Sequence, residues 1–510
     1  MINVPDTYDP YTDVRTVELS FNFGVIAPDA ADLAEPTSST QAPVSDIDQT
    51  IDDAETMGGN YATLEPCMYL LDGNHQPYPL TSSQVGWQSA QMTEINKNFS
   101  SNPWIQFDFS SPQSSYGFML IFDNFQPENY PNKVIATAYG ETGDVIDTIT
   151  ASPDSYLYVI NMPAEQYSSV KFEFTGTNIP NRRIRLCQVI FGINYYYNSE
   201  NIEKVTVRQS LSPFADALPS SEIVATVDNS AQLYNMVNPT GLYKFLQDGQ
   251  KMDWAVTING NKINMGTSFF TKADSKDSGL TAEITFNDRM LVFDDMTYDN
   301  GSAGKWTLSE AVSALLAASG TGLTAAYGGN VGNTVIRKDI PVGTTIREAL
   351  RLCAQAAMCA CYINRNNELF FFSPTVGDSV DSWTFDVQQT PAQIKVEKLY
   401  NIVNLIVSSE YSGSEYTYTS NNVAEGDFDR KYEVANPLVT EESGQAVANW
   451  ILSWVSNRTA YEVTTRGNPA LDLMDVVQIY DVYGVNGNAY ITDLSYNYDG
   501  GLDCDAKAYK

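Results

Sequence analysis

Short segments in which apolar and polar residues alternate dominate the chain between residues 60 and 197. Clear examples are residues 104–109, 134–139 and 170–174. Side chains of a β-strand point alternately to its two faces, so this pattern predicts strands with one buried face. Pro, Gly, Asn and Asp separate the segments at a spacing that is typical of β-sandwiches. We therefore predict an all-β module over residues 60–197.

Alternating segments also fill residues 198–304 and 376–510. In the first of these, the dipeptide Asn259-Gly260 lies between two alternating runs and predicts a tight hairpin turn. In the second, a helical period appears around residues 441–457, where apolar residues recur on one side. The sequence therefore predicts two further β-rich domains, the second of which contains one helix.

Residues 305–375 change from the strand period to the helix period. Thr307 with Glu310, and Thr345 with Glu348, match the capping-box pattern in front of Ala- and Leu-rich stretches. An apolar strand pattern follows at residues 368–373. A small α+β domain of two helices and a strand is therefore expected between the two β-rich domains.

The N-terminal segment, residues 1–59, differs from the rest in composition. A short alternating run at residues 16–23 predicts one strand, and residues 27–55 are acidic and rich in Ala, Pro, Ser and Thr. Such a composition cannot bury a core of its own. We predict an extended arm that is ordered only where it lies on another domain or on a neighbouring molecule.

The charge balance excludes several classes of function. Among 510 residues, 62 are Asp or Glu and 29 are Lys or Arg, which gives a net charge of −33. Proteins that bind nucleic acid or an anionic membrane need a basic surface, so neither partner is expected. No apolar run is long enough to span a membrane, and the N-terminus lacks the pattern of a signal peptide. The six cysteines are too sparse for a disulfide-rich secreted scaffold, so we expect the chain to fold in a reducing cytoplasm.

No catalytic or metal-binding constellation is visible. The single histidine, His75, argues against a histidine-dependent hydrolase, and no pair of carboxylates stands out. Cys359 and Cys361 lie in an apolar stretch, which favours buried thiols over metal ligands. A calcium-binding turn at Asp72 and Asn74 stays open as an alternative. We predict no enzyme activity, no cofactor and no catalytic residue.

Several polar and aromatic turns occur within residues 60–197. They are residues 70–75, Gly86-Trp87, 102–109, Tyr116-Gly117 and 180–183. This arrangement resembles the discoidin-like, galactose-binding-like jelly roll. The resemblance implies sugar recognition through loops, because aromatic rings stack on sugar rings and polar side chains bind hydroxyls. The candidate carbohydrate ligands are Trp87, Tyr116, Arg182 and Arg183, with a cell-wall glycopolymer as the partner. Burial of Trp87 in the jelly-roll core is the alternative.

The order of elements from residue 200 to residue 510 resembles that of phage tail-hub (baseplate hub) proteins, which also occur in phage-like bacteriocins and contractile injection systems. The resemblance rests on the succession of segments, including residues 228–241, 345–350, 364–370 and 491–502. It implies a mainly β, multidomain chain in which two hub β-barrels, residues 198–304 and 376–510, flank the small α+β domain.

This resemblance also implies a homotrimer in a tail or tail-like particle, assembled in the bacterial cytoplasm. Its partners would be the tail tube, the tip or spike and the tape-measure protein. A second class of function is an extracellular carbohydrate-binding adhesin or a sugar-processing enzyme with a jelly-roll module.

Overall fold

A computed structural model describes residues 2, 4, 5, 8–27, 30–51, 65, 85–124, 128–238, 241–375, 377–396, 399–409, 411, 413, 415–425, 427–456, 459–481, 484 and 486–510. The chain divides into two compact units. The first unit contains Met1–Asn22, Tyr196–Ala231 and Met252–Lys510, and the second contains Phe23–Tyr195 and Gln232–Lys251. Both units are built mainly from β-strands, so the predicted mainly β, multidomain fold class is confirmed.

The second unit is a mainly β module that contains one seven-stranded sheet. The first elements of the chain are β1 (Val17–Ile26), α1 (Ala30–Leu33), β2 (Ala34–Ser38), β3 (Trp87–Gln88), β4 (Trp104–Phe122), β5 (Pro131–Tyr139), β6 (Val145–Ala151), β7 (Leu157–Thr177), β8 (Arg185–Ile190) and β9 (Gly192–Tyr197). Of these, α1 and β2 to β8 lie entirely in the second unit, whereas β1 and β9 each have residues in both units. Seven strands form one sheet in the order β3-β8-β4-β7-β5-β6, with β2 paired to β4.

Alternation along these strands produces the core of the second unit. In β5, for example, Val134, Ala136 and Ala138 are buried while the residues between them are partly exposed. The same alternation places Phe107 and Phe172 in one hydrophobic cluster. The strand pattern of the sequence is therefore the pattern of burial in the sheet.

The described part of the predicted arm lies on this module. β2 pairs with β4 in antiparallel register, from Ala34 opposite Phe109 to Ser38 opposite Ile105. Ala30 is buried in the same hydrophobic cluster. Residues 30–51 thus belong to the second unit, whereas we predicted a separate N-terminal segment. The two units thus cut across the five successive segments that we predicted, and that finer division stays a prediction.

The first unit contains the remaining elements. They are β10 (Ile202–Ser210), β11 (Glu222–Asp228), β12 (Lys251–Ile258), β13 (Asn261–Lys276), β14 (Thr281–Asn287), β15 (Thr297–Tyr298), β16 (Lys305–Thr307), α2 (Leu308–Ser319), β17 (Thr324–Tyr327), β18 (Val335–Arg337), β19 (Thr344–Thr345), α3 (Ile346–Ala356), β20 (Ala360–Ile363), β21 (Glu368–Phe372), β22 (Asp381–Trp383), β23 (Gln393–Val396), β24 (Ile402–Ser408), β25 (Glu415–Asn421), β26 (Lys431–Ala435), α4 (Gly444–Val455), β27 (Thr459–Thr465), β28 (Val476–Tyr480), β29 (Asn486–Tyr498) and β30 (Leu502–Tyr509).

A single large sheet joins the two predicted hub barrels within this unit. Within the unit its strands include the run β23-β27-β30-β29-β10-β11-β14-β13-β12, and β28 pairs with both β29 and β22. The junction is the antiparallel pair β10–β29, in which Val205 lies opposite Tyr498 and Val207 opposite Tyr496. Strands from residues 202–287 and 459–509 therefore share one hydrogen-bonded surface.

The helices of the first unit begin where the sequence predicts. The side chain of Thr307 accepts a hydrogen bond from the backbone of Glu310, and the Glu310 side chain accepts one from the backbone of Thr307. Thr345 caps α3 by accepting from the backbone N–H of Glu348. These caps satisfy N–H groups that have no partner inside the helix.

A three-stranded sheet packs against α4 and positions a loop at one of its ends. Its order is β25-β24-β26, in which β24 is antiparallel to β25 and parallel to β26. Ile402, the first residue of β24, lies opposite both Asn421 and Lys431. The chain between β25 and β26 must therefore cross over the start of β24.

Candidate ligand-binding site

Two chain segments of the second unit meet at the candidate sugar-binding turn. The backbone N–H of Thr93 donates to the carbonyl of Arg182 at 2.9 Å, and that of Ser89 donates to Ile184 at 3.1 Å. Next to them, Trp87 lies opposite Leu186 in the β3–β8 ladder. The structure thus brings Trp87, Arg182 and Arg183 to neighbouring positions.

Trp87 belongs to the core and not to a ligand surface. Its side chain is 0% exposed and stacks on Phe174 with ring centroids 5.7 Å apart. A ligand cannot reach a face of this ring. The role of carbohydrate ligand that we predicted for Trp87 is therefore wrong, and the alternative of core packing holds.

The guanidinium of Arg183 is hydrogen-bonded to the backbone of the turn. Its Nη1 donates to the backbone carbonyl of Ser89 at 2.8 Å and also to that of Ala90. The backbone N–H of Arg183 donates to the Glu65 carboxylate at 2.8 Å. The groups of Arg183 that we predicted to bind a ligand thus already bind the protein's own backbone.

An ion pair that the sequence analysis did not predict lies beneath this turn. Arg185 and Glu65 are paired through a short guanidinium–carboxylate contact, and their side chains are 1% and 0% exposed. The signal in the sequence was an arginine within the mostly apolar strand segment 184–191. A buried charge requires a partner, but the pattern does not indicate which of the many acidic residues supplies it.

Arg182 differs from its neighbour because part of its guanidinium is unused. The residue is 4% exposed, and its buried Nη1 has no hydrogen-bond partner. Burial lowers the pKa of this guanidinium below its ordinary value, because the charged form loses hydration. Of the two predicted arginines, Arg182 is the one that retains an unsatisfied donor.

Tyr116 lies at the other end of the strands. In the β4–β8 ladder, Met119 is opposite Ile190, so Tyr116 lies beyond the end of β8 that is farthest from Arg182 and Arg183. With about 3.3 Å per strand residue, the separation is roughly 25 Å or more. The Tyr116 ring instead packs against Phe245, with centroids 5.5 Å apart. Tyr116 therefore does not join a site with the two arginines, which corrects the predicted group of four.

The predicted calcium turn at Asp72 and Asn74, and His75, lie outside the described residues. Among the residues that are described, no group of three or more His, Cys, Asp or Glu side chains is placed to hold a metal ion. Cys359 and Cys361 are buried free thiols, as predicted, and burial raises the pKa of Cys361 well above its ordinary value. No helix within the described ranges is both long and apolar enough to cross a membrane.

Comparisons with known proteins give matches among solved structures. No protein-family model and no curated protein matches the chain. The chain is similar to the tail protein of prophage MuSo2 from Shewanella oneidensis, with 16% identity, 62% of this chain and 93% of that chain covered, and a TM-score of 0.44. It is also similar to a tail protein from Neisseria meningitidis MC58, with 13% identity, coverage of 62% and 94%, and a TM-score of 0.46.

A third match involves a smaller part of the chain. The lectin domain of lectinolysin, solved in complex with Lewis B antigen, has 14% identity, covers 31% of this chain and 90% of its own, and has a TM-score of 0.21. The two resemblances that the sequence indicated, to tail proteins and to a sugar-binding jelly roll, thus both recur among solved structures. Because the identities and TM-scores are this low, we derive the function from the residues of this chain.

Proposed function

We propose that this chain is a structural hub subunit of a phage tail or tail-like particle, where a trimer joins the tail tube to the tip or spike. The observation that carries the proposal is the β10–β29 junction, which makes one continuous sheet from two segments of the chain nearly 300 residues apart. The backbone groups of the interior strands of such a sheet are hydrogen-bonded to strands on both sides, so the sheet resists local opening. A rigid platform of this kind suits a subunit that transmits force between a tube and a tip.

The large sheet also offers an edge for subunit contacts. β23 is the last strand on one side of the sheet path, and it pairs with β27 from Gln393 opposite Glu462 to Val396 opposite Thr459. An edge strand presents N–H and C=O groups to a neighbouring chain. In a cyclic trimer the same edge would contact a second surface on the next copy, which closes the ring.

The charge of the chain is compatible with this role. A trimer carries 3 × (−33) = −99 charges. Acidic groups keep a large subunit soluble, and those that face a channel repel the phosphates of passing DNA.

Locating the chain within particles tests the proposal. Tail particles from the bacterium that encodes the chain are purified and analysed by mass spectrometry, and an antibody against residues 85–195 is imaged by immunogold microscopy. We expect the chain in the particles, with label at the distal end of the tail. Abundant chain in the cells or medium together with its absence from the particles would contradict the hub function.

The proposal assigns no catalytic activity to the chain. A zymogram of the purified chain on peptidoglycan is expected to show no clearing. A clearing band that a single carboxylate substitution abolishes would contradict this part of the proposal.

We also propose that the second unit binds a cell-wall glycopolymer, and Arg182 supports this part. Its Nη1 has no hydrogen-bond partner but is buried, so it becomes a donor for a sugar hydroxyl or for the phosphate of a teichoic acid only when the residues that cover it move away. Binding to purified host cell walls is compared for the wild type, Arg182→Ala and the control Arg208→Ala. The Arg208 side chain is 67% exposed and belongs to the first unit. We expect loss only in Arg182→Ala, whereas equal binding by all three proteins would exclude Arg182.

A further inference from the structure

The loop between β25 and β26, called the loop 422–430 and described at residues 422–425 and 427–430, is hydrogen-bonded at three points to one asparagine. Asn401 accepts a hydrogen bond from the backbone N–H of Arg430 at 2.7 Å through its side-chain oxygen. Its side-chain amide donates to the carbonyl of Phe428 at 3.0 Å, and its own carbonyl accepts from the backbone N–H of Asn422 at 3.0 Å. The loop is thereby tied to the residue that precedes β24.

A cavity of about 520 Å³ lies beside this loop within the first unit. Its wall includes Tyr400, Asn422, Asp427, Phe428 and Arg430. The volume is within the range that is typical of small-molecule sites, about 300–1,000 Å³. The wall thus combines an aromatic ring, an amide, a carboxylate and a guanidinium.

Tyr400 packs on Tyr432, but the other four side chains named in this wall are little used by the fold. Phe428 is 84% exposed, although burial of a ring of this size is normally favourable. Within the described part of the chain, the Asn422 amide and the Arg430 guanidinium have no hydrogen-bond partner and no ion pair. The Asp427 carboxylate accepts one long hydrogen bond, 3.3 Å from the backbone N–H of Ala424. Hydrogen-bonding groups and an aromatic face are therefore both available to a ligand in the cavity.

The balance of these groups indicates a neutral ligand with many hydroxyl groups. The formal charges of one carboxylate and one guanidinium cancel. The pair as a whole therefore gives no net electrostatic attraction to an anion or to a cation. The amide and the guanidinium donate, and the carboxylate and the amide oxygen accept, which suits hydroxyls that do both. An exposed aromatic ring adds a flat apolar face of the kind that stacks on a sugar ring.

We propose that this cavity binds a neutral saccharide, with Phe428 as the stacking platform and Asn422, Asp427 and Arg430 as hydroxyl ligands. The site lies in the first unit and shares no residue with the turn around Arg182. It is a second carbohydrate site that does not depend on the hub function or on the jelly-roll ligand.

Saturation-transfer NMR on the full-length chain tests the site. The probes are chitotriose, maltotriose, cellotriose and purified neutral cell-wall polysaccharide of the host. We expect saturable transfer to at least one probe, with about tenfold weaker binding in Phe428→Ala because the stacking contact is lost. Asn422→Ala, which leaves the ring in place, is expected to weaken binding by a smaller factor.

Two control variants define the location. Phe385→Ala removes another exposed phenylalanine of the first unit, 52% exposed, and is expected to leave binding unchanged. Arg182→Ala is expected to leave it unchanged as well, which separates this site from the jelly roll. Circular dichroism of each variant verifies that it is folded.

Three results would overturn the proposal. The first is the absence of transfer to every probe, and the second is equal binding by the wild type and both site variants. The third is a Phe428→Ala chain that binds saccharide normally but is no longer incorporated into tail particles, which would make the loop a protein-docking surface.

Discussion

The turn around Arg183 in the second unit and the loop 422–430 in the first unit contain similar residue types in opposite situations. In the turn, Trp87 is fully buried and Arg183 binds two backbone carbonyls. In the loop, Phe428 is 84% exposed and Arg430 is free of partners among the described residues. An aromatic residue and an arginine thus build the fold in one region and remain available in the other.

This difference shows why residue type alone does not identify a binding site. A side chain whose hydrogen bonds and apolar faces are satisfied internally gains little from a ligand, because the same contacts would have to be broken first. The informative property is the set of hydrogen-bonding groups and apolar faces that remain without a partner after folding. By this criterion Arg182 and the loop 422–430 are better candidates than Trp87 and Arg183.

The largest expected contrast is between the two aromatic residues. Trp87→Ala should destabilise the second unit by about 3–5 kcal/mol, because a large buried side chain is replaced by a cavity. Phe428→Ala should change the stability of the first unit by less than about 0.5 kcal/mol, since its ring is mostly in solvent. Hydrogen exchange followed by mass spectrometry in increasing urea measures each unit separately. Similar losses of stability in Trp87→Ala and Phe428→Ala would contradict the difference that we expect between the two aromatic residues.

The two arginines should differ less strongly. Arg183→Ala should cost about 1.5–3 kcal/mol, because charge-assisted hydrogen bonds to the carbonyls of Ser89 and Ala90 are lost. Arg430→Ala is expected to stay within about 0.5 kcal/mol of the wild type. The same exchange experiment applies, with peptides that cover residues 85–95 and 421–431. A neutral Arg183→Ala variant would mean that the turn does not need its guanidinium.

Among the three residues of the turn the smallest effect is expected at Arg182, and its sign should be opposite to that at Arg183. Its Nη1 is buried without a partner, so Arg182→Met removes a desolvated donor while it keeps an apolar stem. We expect stability to be unchanged or raised by up to about 1 kcal/mol. A loss comparable to that of Arg183→Ala would show that Arg182 also holds the turn.

Local patterns in the sequence predicted the local parts of the fold. The capping box at Thr307 and the N-cap residue Thr345 start α2 and α3, and the Asn259-Gly260 dipeptide forms the turn between β12 and β13. Both residues of that turn have positive φ, 49° and 81°, which Asn and Gly tolerate best. These elements are determined by residues close together in the chain.

Local sequence patterns did not predict the pairings between distant segments of the chain. The β10–β29 junction and the Arg185–Glu65 ion pair connect residues that no local period relates. The candidate site shows the same limit, because adjacent arginines at 182 and 183 have equal propensities and different surroundings. Only the tertiary contacts distinguish a satisfied guanidinium from an unsatisfied one.

The central claim, a trimeric hub, is tested most directly by a cryo-electron microscopy reconstruction of the distal end of the tail without imposed symmetry. The account predicts three copies of this chain in a threefold ring, with a total mass of 3 × 56.3 = 169 kDa. Three copies of one sequence would then meet the sixfold tube on one side and the tip on the other. A sixfold ring of this chain, or a tail end without it, would contradict the account.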